Sequence, residues 1–245
     1  EMTRKKAAPS VSEDARETVE FFKTVIHELR IPMTSIRGYS DMLTNPGMVG
    51  ELSDMQKQLL DVIRANSRRM ESLLTDMSYM NRIRGGMVTV NAKMDMFKNI
   101  AMMIEKKAAP LAEELKRALV FDVPQGLPIL NTDADLMSTV LLKLIENGLR
   151  YSPEGTGKVT VSASADGNTL VVNVSDNGVG MTEEEKTHLG EVFYRSDRDP
   201  IRAHKGSGLG LPIAMGLTEA LGGTFALESA ENQGTTVTLR FEGMS

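Results

Sequence analysis

The sequence predicts an α+β protein in two unequal parts, a long helical hairpin at residues 1–86 and an α/β sandwich at 87–245. Two observations carry this. Up to Gly85-Gly86 the apolar residues recur every three and four positions, the period of a helix. Beyond that pair, short alternating runs take turns with amphipathic stretches, the mixture that layers helices on a sheet.

In the first part, Val19, Phe22, Ile26, Leu29, Met33, Ile36 and, after polar Ser40, Leu43 follow a seven-residue repeat, the seam of a coiled coil. Pro46 and Gly47 stop this helix. Ser53 is placed to cap a second one, whose seam reads Leu59, Ile63, Met70, Leu73, Met77 and Met80 with polar Asn66 between them. Each helix runs about 30 residues, or about 45 Å at 1.5 Å per residue, and one hairpin of that length cannot cover both seams. Two copies can, so the expectation is a homodimeric four-helix bundle. The methionines on these stripes read as pliable core filler.

In the second part, Met87 to Val90 alternates, Phe97 to Ala118 reads as a helix containing Pro110, and Leu119 to Asp122 is a short strand. Asp133 to Tyr151 is a strongly apolar helix. Val159 to Ala165 and Leu170 to Ser175 alternate around Asp166-Gly167-Asn168, which predicts a hairpin. Thr182 with Glu185 has the form of a capping box. The polar stretch from Arg195 to Ser207 reads as a mobile loop, Leu209 to Leu221 as a helix, and Thr224 to Leu227 with Thr235 to Phe241 as strands that close the sheet.

Composition removes several function classes. With no cysteine among 245 residues there is no disulfide, thiolate metal site or thiol nucleophile, which leaves His, Ser, Thr, Lys and carboxylates for covalent chemistry. A formal charge of -5 without a polycationic half argues against a nucleic-acid partner. No apolar run approaches the roughly 20 residues that span a bilayer, and the first six residues lack the apolar core of a signal peptide. The expectation is cytoplasmic domains, whatever anchors the full-length protein.

Two glycine segments call for a phosphate-binding reading: Asp176-Asn177-Gly178-Val179-Gly180-Met181 and Gly206-Ser207-Gly208-Leu209-Gly210-Leu211. The second opens directly into a helix, whose free N–H groups and positive dipole end can face phosphate oxygens. Neither is a Walker A loop or a Rossmann fingerprint. Each alone is equally well a tight turn, but two flanking one polar loop are hard to explain that way. Asp176 ends an apolar strand, where its carboxylate needs a donor: the amine of an adenine, or an Asx turn into Asn177-Gly178. Glu146, Asn147, Arg150 and Tyr151 end the apolar helix, with Asn147 and Arg150 on one face. An Asn oxygen suits Mg²⁺, and an Arg one turn on suits phosphates.

In order and spacing, Asn147 with Tyr151-Ser152-Pro153-Glu154-Gly155, then Asp176 to Met181, then Phe193-Tyr194-Arg195-Ser196-Asp197, then Gly206 to Leu211 resemble four boxes of the sensor histidine kinases of two-component systems. These are the N box, the first glycine box, the F box and the second glycine box. His27-Glu28-Leu29-Arg30-Ile31-Pro32 resembles that family's phosphoacceptor box, and the resemblance runs from about Glu20 to the end. It implies a Bergerat-type ATP-binding fold, ATP and Mg²⁺ as cofactors, and a kinase that phosphorylates its own His27. It also implies passage of the phosphoryl group to an aspartate of a response regulator receiver domain.

Residue by residue, the resemblance implies that Asn147 coordinates Mg²⁺, that Asp176 reads the adenine amine, and that Gly178 and Gly180 form the adjacent hinge. Gly206, Ser207, Gly208, Leu209 and Gly210 would approach the phosphates at the end of an ATP lid. Phe193 would anchor that lid by packing, Arg195 or Arg150 would meet phosphate charge, and Tyr151 falls among the nucleotide-binding residues. An upstream sensory domain is implied that this chain does not contain, with Glu1 to Asp14 reading as the end of an input connection. Ile31 stands where members that dephosphorylate their regulator carry Thr or Asn, which implies weak or absent phosphatase activity. Lys143 stands where the family often has another Asn.

The residues around His27 make their own case. Next to seam residue Ile26, His27 sits at the flank of the bundle, and Pro32 removes a backbone donor nearby, which favours a local bend. A neutral imidazole is a competent nucleophile when one ring nitrogen donates to a carboxylate, and Glu28 is the nearest. His188 and His204 read as surface residues, with His204 close enough to the glycines to touch nucleotide. Two rivals remain: a clamp ATPase of the same nucleotide fold, which would lack the His box, and a scaffold with a vestigial ATP site.

Overall fold

The computed structural model describes residues 13–202, 204 and 206–244, with side chains from 18 onward. Most of the connection read into Glu1 to Asp14, and Ala203 and Lys205 of the polar loop, lie outside the described residues. The chain divides into two compact units, Glu1–Met87 and Val88–Ser245.

The first unit holds α1 (Glu13–Leu43), α2 (Pro46–Val49) and α3 (Asp54–Arg84). α1 runs continuously through Pro32. After it, the Asn45 side chain accepts the Gly47 N–H at 3.0 Å and starts the single turn α2, with Pro46 in the first position where its missing N–H costs nothing. Ser53 caps α3 through a full capping box with Gln56. At the other end Gly85 caps the helix, and Gly86 adopts the left-handed conformation that releases the chain.

α1 and α3 pack through one stripe each. On α1 it is Val19, Ile26, Met33 and Ser40, all buried at seven-residue spacing. On α3 it is Leu60, Ser67 and Leu74, and Ile26, Met33 and Leu74 form a cluster completed by Met77. Of the predicted α3 seam, Met80 is buried and Met77 packs on this cluster, while Leu59, Ile63 and Met70 remain 44–59% exposed in the single chain. Half of the α1 seam is likewise open, with Phe22, Leu29, Ile36 and Leu43 at 39–46%. A contact between two helices buries only a narrow stripe of each, and a seven-residue repeat supplies two stripes. Register is fixed by Arg37 to Glu71 and Arg64 to Asp41, both at 3.1 Å, and by the Asn81 amide donating to the Val19 carbonyl at 2.8 Å.

The second unit runs β1 (Lys93–Met96), α4 (Phe97–Glu114), β2 (Ala118–Asp122), β3 (Ile129–Thr132), α5 (Ala134–Tyr151), β4 (Lys158–Asp166), β5 (Thr169–Asp176), α6 (Glu183–Thr187), α7 (Asp199–Arg202), α8 (Gly210–Ala220), β6 (Thr224–Ser229) and β7 (Thr235–Glu242). Five strands form a sheet in the order β2-β4-β5-β7-β6, with β2 and β4 parallel and the other pairs antiparallel. α4, α5 and α8 pack against it and each other. Val159, Val161, Leu170, Val172, Leu239 and Phe241 from the strands meet Ile104, Val140, Ile145, Leu149 and Leu217 from the helices in a closed core.

Three sequence expectations need correcting. Met87 to Val90 forms no strand; the strand is β1, paired antiparallel with β3, which the sequence reading missed. The helix beginning at Phe97 ends at Glu114, because Lys116 turns left-handed and Ala118 joins β2 beside Lys158. The polar loop contains the single helical turn α7. Elsewhere Gly167, left-handed, makes the two-residue turn of the β4–β5 hairpin. The β5–β7 register then sets Asp176 opposite Thr235. Among the described residues no helix is long and apolar enough to cross a membrane.

Candidate functional site

On the hairpin, helical geometry turns His27 out of the seam because its neighbour Ile26 is turned in. His27 and Glu28 are 72% and 69% exposed at their side chains, and Nδ1 lies 3.5 Å from Glu28 Oε1, the outer limit of a hydrogen bond. Nε2 has no partner among the described residues. Pro32 leaves the Glu28 carbonyl without its usual donor one turn on. A shallow groove beside the ring is lined by His27, Arg30, Ile31, Thr34 and Ser35. The Thr34 and Ser35 hydroxyls bond back to the Arg30 and Ile31 carbonyls, so the groove's polar groups are largely satisfied.

In the α/β unit, the site collects at the C-terminal end of α5 and the ends of β5 and β7. Asp176 Oδ1 accepts the Gly178 N–H at 2.8 Å and the Thr235 N–H at 3.2 Å, so the Asx turn is present. Oδ2 lies beside Gly148 and accepts no hydrogen bond among the described residues. Burial raises the Asp176 pKa above the usual carboxylate value, and the two backbone N–H groups offset part of that. Gly148 went unnoticed in the sequence. A Cβ there would lie 2.9 Å from Val159 Cγ2 and 3.2 Å from Asp176 Cβ, so its absence lets α5 approach the sheet. Gly234 was missed too: it is left-handed, and a Cβ on it would lie 2.0 Å from the Asp176 carbonyl oxygen.

The glycines of the two segments separate into two kinds. Gly178, Gly180 and Gly208 are required by the protein's own backbone: a Cβ would meet the carbonyl oxygens of Tyr151 at 2.6 Å, Ala230 at 1.9 Å and Tyr194 at 2.6 Å. Gly180 and Gly208 are also left-handed. Gly206 and Gly210 are not: their φ angles are ordinary, and the nearest described atoms stand 3.6 and 3.5 Å from the Cβ position. At Gly210 that neighbour is the side-chain amide of Asn147, which has no hydrogen-bond partner among the described residues. α8 starts there without a side-chain cap, which leaves the Gly210 and Leu211 N–H groups open. An unspent amide oxygen and uncapped helix donors thus share one spot. No cluster of His, Asp and Glu suited to a metal occurs among the described residues, so a hard cation here would rely on Asn147 and on ligand oxygens.

Arg150 is half-buried and forms no ion pair among the described residues. His204 packs edge-on against Tyr151, with ring centroids 5.7 Å apart. Burial and the positive charges of Arg117, Arg150 and Arg195 lower its pKa. Three predicted residues take other parts than expected. The two terminal nitrogens of the Arg195 guanidinium donate to the loop's own carbonyls, of Gly206 at 3.3 Å, Ile201 at 2.9 Å and His204, while its buried Nε has no partner among the described residues. Phe193 does not anchor by packing: its ring is 58% exposed, and the contact is backbone, Phe193 N–H to the Gly208 carbonyl at 3.3 Å. Leu209 is fully buried in the core, so only its main chain can meet a ligand. His188, partly exposed as expected of a surface residue, stacks on Tyr194 at 4.3 Å. Ser207 Oγ accepts the Leu209 N–H at 3.3 Å just ahead of α8.

Comparison with known proteins agrees with this division. Residues 18–86 match the family His Kinase A (phospho-acceptor) domain, and residues 132–243 match Histidine kinase-, DNA gyrase B-, and HSP90-like ATPase. The chain is 30% identical to an uncharacterized sensor-like histidine kinase of Rhizobium meliloti, over 95% of this chain and 44% of that protein. It is also 30% identical to the sensor histidine kinase WalK of Bacillus subtilis, over 91% of this chain and 36% of that protein. The chain therefore spans less than half the length of these relatives. Among solved structures, full-length ShkA in complex with AMPPNP superposes with a TM-score of 0.77 at 22% identity, covering 92% of this chain and 46% of that one. The Acinetobacter baumannii histidine kinase AdeS gives 0.62 at 21%, covering 89% and 98%. At these identities both establish the fold.

Proposed function

The chain belongs to the histidine kinase family, and on that premise we propose that it is an ATP-dependent kinase that phosphorylates its own His27. From His27 the phosphoryl group passes to an aspartate of a response regulator receiver domain. The observation that carries the nucleotide half is the meeting of the unspent Asn147 amide with the uncapped start of α8, where Gly210 leaves room that the fold itself does not require. In this reading Asp176 Oδ2 accepts from the adenine amine, and Gly178 and Gly180 shape the hinge beside it. Arg150 and the amides of Gly206 to Gly210 take phosphate oxygens, and Tyr151 lines their edge. Asn147 would hold Mg²⁺, which supplies neutralising charge on the phosphates when bound.

On the hairpin, the pairing of Nδ1 with Glu28 supports a tautomer whose Nε2 lone pair faces outward. Nε2 attacks the γ-phosphorus, the bond from phosphorus to the β–γ bridging oxygen breaks to release ADP, and Glu28 takes up the Nδ1 proton. In the onward step a receiver carboxylate oxygen attacks phosphorus, the P–N bond breaks, and the ring regains its proton. The open stripe Phe22, Leu29, Ile36 and Leu43, with Leu59, Ile63 and Met70, supports a homodimer in which the same stripe of a second copy closes a four-helix bundle. The groove at His27 remains on the outer flank for the receiver. Ile31 offers that groove no polar group to orient a water, consistent with weak phosphatase activity.

The test is incubation with γ-labelled ATP and Mg²⁺. Acid-labile, base-stable label should appear on the protein and be absent from His27→Ala, which still binds nucleotide. Asn147→Ala should lower labelling by about 100-fold, or about 2.7 kcal/mol of transition-state stabilisation. Released phosphate without label would identify a clamp ATPase, and neither product would identify a scaffold.

A further inference from the structure

Arg198 lies in the loop between Tyr194 and α8 and meets the nucleotide site only at the Gly180 carbonyl, yet its guanidinium joins three separate segments. Nε donates to Glu185 Oε1 at 2.8 Å, Nη2 to the Gly180 carbonyl at 2.7 Å, and Nη1 to Glu231 Oε1 at 3.0 Å. Two of these partners, Glu185 and Gly180, are fixed by other means. Glu185 Oε2 accepts the Thr182 N–H at 2.7 Å in the capping box of α6. Gly180 is held left-handed against Ala230, and the Asn232 N–H donates to the Val179 carbonyl at 2.8 Å. The Arg198 and Glu185 side chains are 22% and 10% exposed, so this pair is shielded from solvent. At its own main chain, Arg198 starts α7, its carbonyl accepting the Ile201 and Arg202 N–H groups at 2.9 Å. Arg195 binds that same loop to itself through the carbonyls of Gly206, Ile201 and His204. One arginine folds the loop, and the other ties it to the glycine hinge.

We propose that Arg198 is a positioning residue that locks the phosphate-side loop to the Gly180 hinge, holding the 206–210 amides in register with Asp176. The proposal rests on the nucleotide-site reading above and deepens it. Without the lock, ordering the loop falls to the ligand, and only a ligand that grips the loop through phosphates bears that cost. A lysine cannot replace the arginine, because a point charge does not reach three acceptors in three directions.

The experiment compares binding of a non-hydrolysable ATP analogue and of adenosine to the whole chain. Arg198→Ala should weaken the analogue about tenfold while changing adenosine less than about twofold, and Arg198→Lys should behave like Arg198→Ala. Glu231→Ala, at a more exposed position that leaves the capping box intact, should show a smaller loss of the same kind that vanishes in the Arg198→Ala background. Equal losses for both ligands, or no loss for either, would overturn the proposal while leaving the nucleotide site standing. A wild-type chain that binds neither ligand would overturn the nucleotide reading, and the lock with it.

Discussion

The hairpin and the α/β unit are stabilised in opposite ways. The α/β unit closes its core on itself, with helix and sheet residues such as Ile104, Ile145, Leu170 and Leu217 fully buried. The hairpin buries one stripe per helix and leaves the adjacent apolar stripe open, so in the proposed homodimer its stability would belong to two chains rather than one. The site in each unit follows from this. His27 is reachable because it flanks the seam rather than joining it. The site at Asn147 and Asp176 is built inside one chain, from side chains and main-chain groups held by packing.

The largest expected effect breaks the contrast on the hairpin side. Leu29→Lys with Ile36→Lys puts charge on the open stripe, each side chain giving up about 1.5–3 kcal/mol of burial at the dimer contact. The double variant should sediment as a monomer at concentrations where the parent is a dimer, while its affinity for an ATP analogue stays unchanged. A dimer that persists would place the interface elsewhere.

A smaller effect sharpens the contrast inside the α/β unit. Gly180→Ala forces a left-handed alanine whose Cβ meets the Ala230 carbonyl oxygen at 1.9 Å. Backbone strain alone costs about 1–3 kcal/mol there, which thermal denaturation should register. Gly210→Ala meets nothing closer than 3.5 Å among the described atoms, so its melting should stay near the parent's while affinity for the ATP analogue falls. Equal melting of the two variants would remove the distinction between glycines the fold requires and glycines it does not.

The smallest effect on stability concerns Asp176→Asn. Burial raises the Asp176 pKa in the folded state above its unfolded value, so the folded protein holds that proton more tightly. This group therefore favours folding most at low pH and loses that contribution as pH rises through the raised value, leaving the ionised form a net cost at neutral pH. Asparagine keeps an oxygen for the Gly178 and Thr235 donors, so the variant should melt slightly higher at pH 7, with the gain shrinking as pH falls. Nucleotide affinity should drop sharply, because the amide has lost the acceptor charge at Oδ2. A lower melting point at pH 7 would mean that the carboxylate stabilises the free protein.

Much of this was legible in advance. The glycine segments, Asp176 and Asn147 could be read because each residue type is tied to a local chemistry: a turn, a helix start, a hard ligand oxygen. Arg198 was not legible, since nothing in a polar loop says which carbonyl lies across from it. Phe193 and Arg195 were assigned parts that the loop's own hydrogen bonding gives to other atoms. β1 and β3, four residues each, went unread although Lys93-Met94-Asp95-Met96 alternates, because what makes them strands is a pairing between runs far apart in the sequence.

By itself the sequence determined the helical hairpin, the order of the longer helices and of most strands beyond it, and which residues are candidates to hold phosphate or carry a reactive imidazole. These follow from periodicity and from properties that a residue carries wherever it sits. Only the tertiary structure decided which apolar stripe of each helix faces inward, because a seven-residue repeat offers both equally. It likewise decided that Gly148 and Gly234 admit the close approaches around Asp176, and that one arginine ties the phosphate-side loop to the hinge. Those contacts join residues far apart in sequence, and their distances exist only after packing.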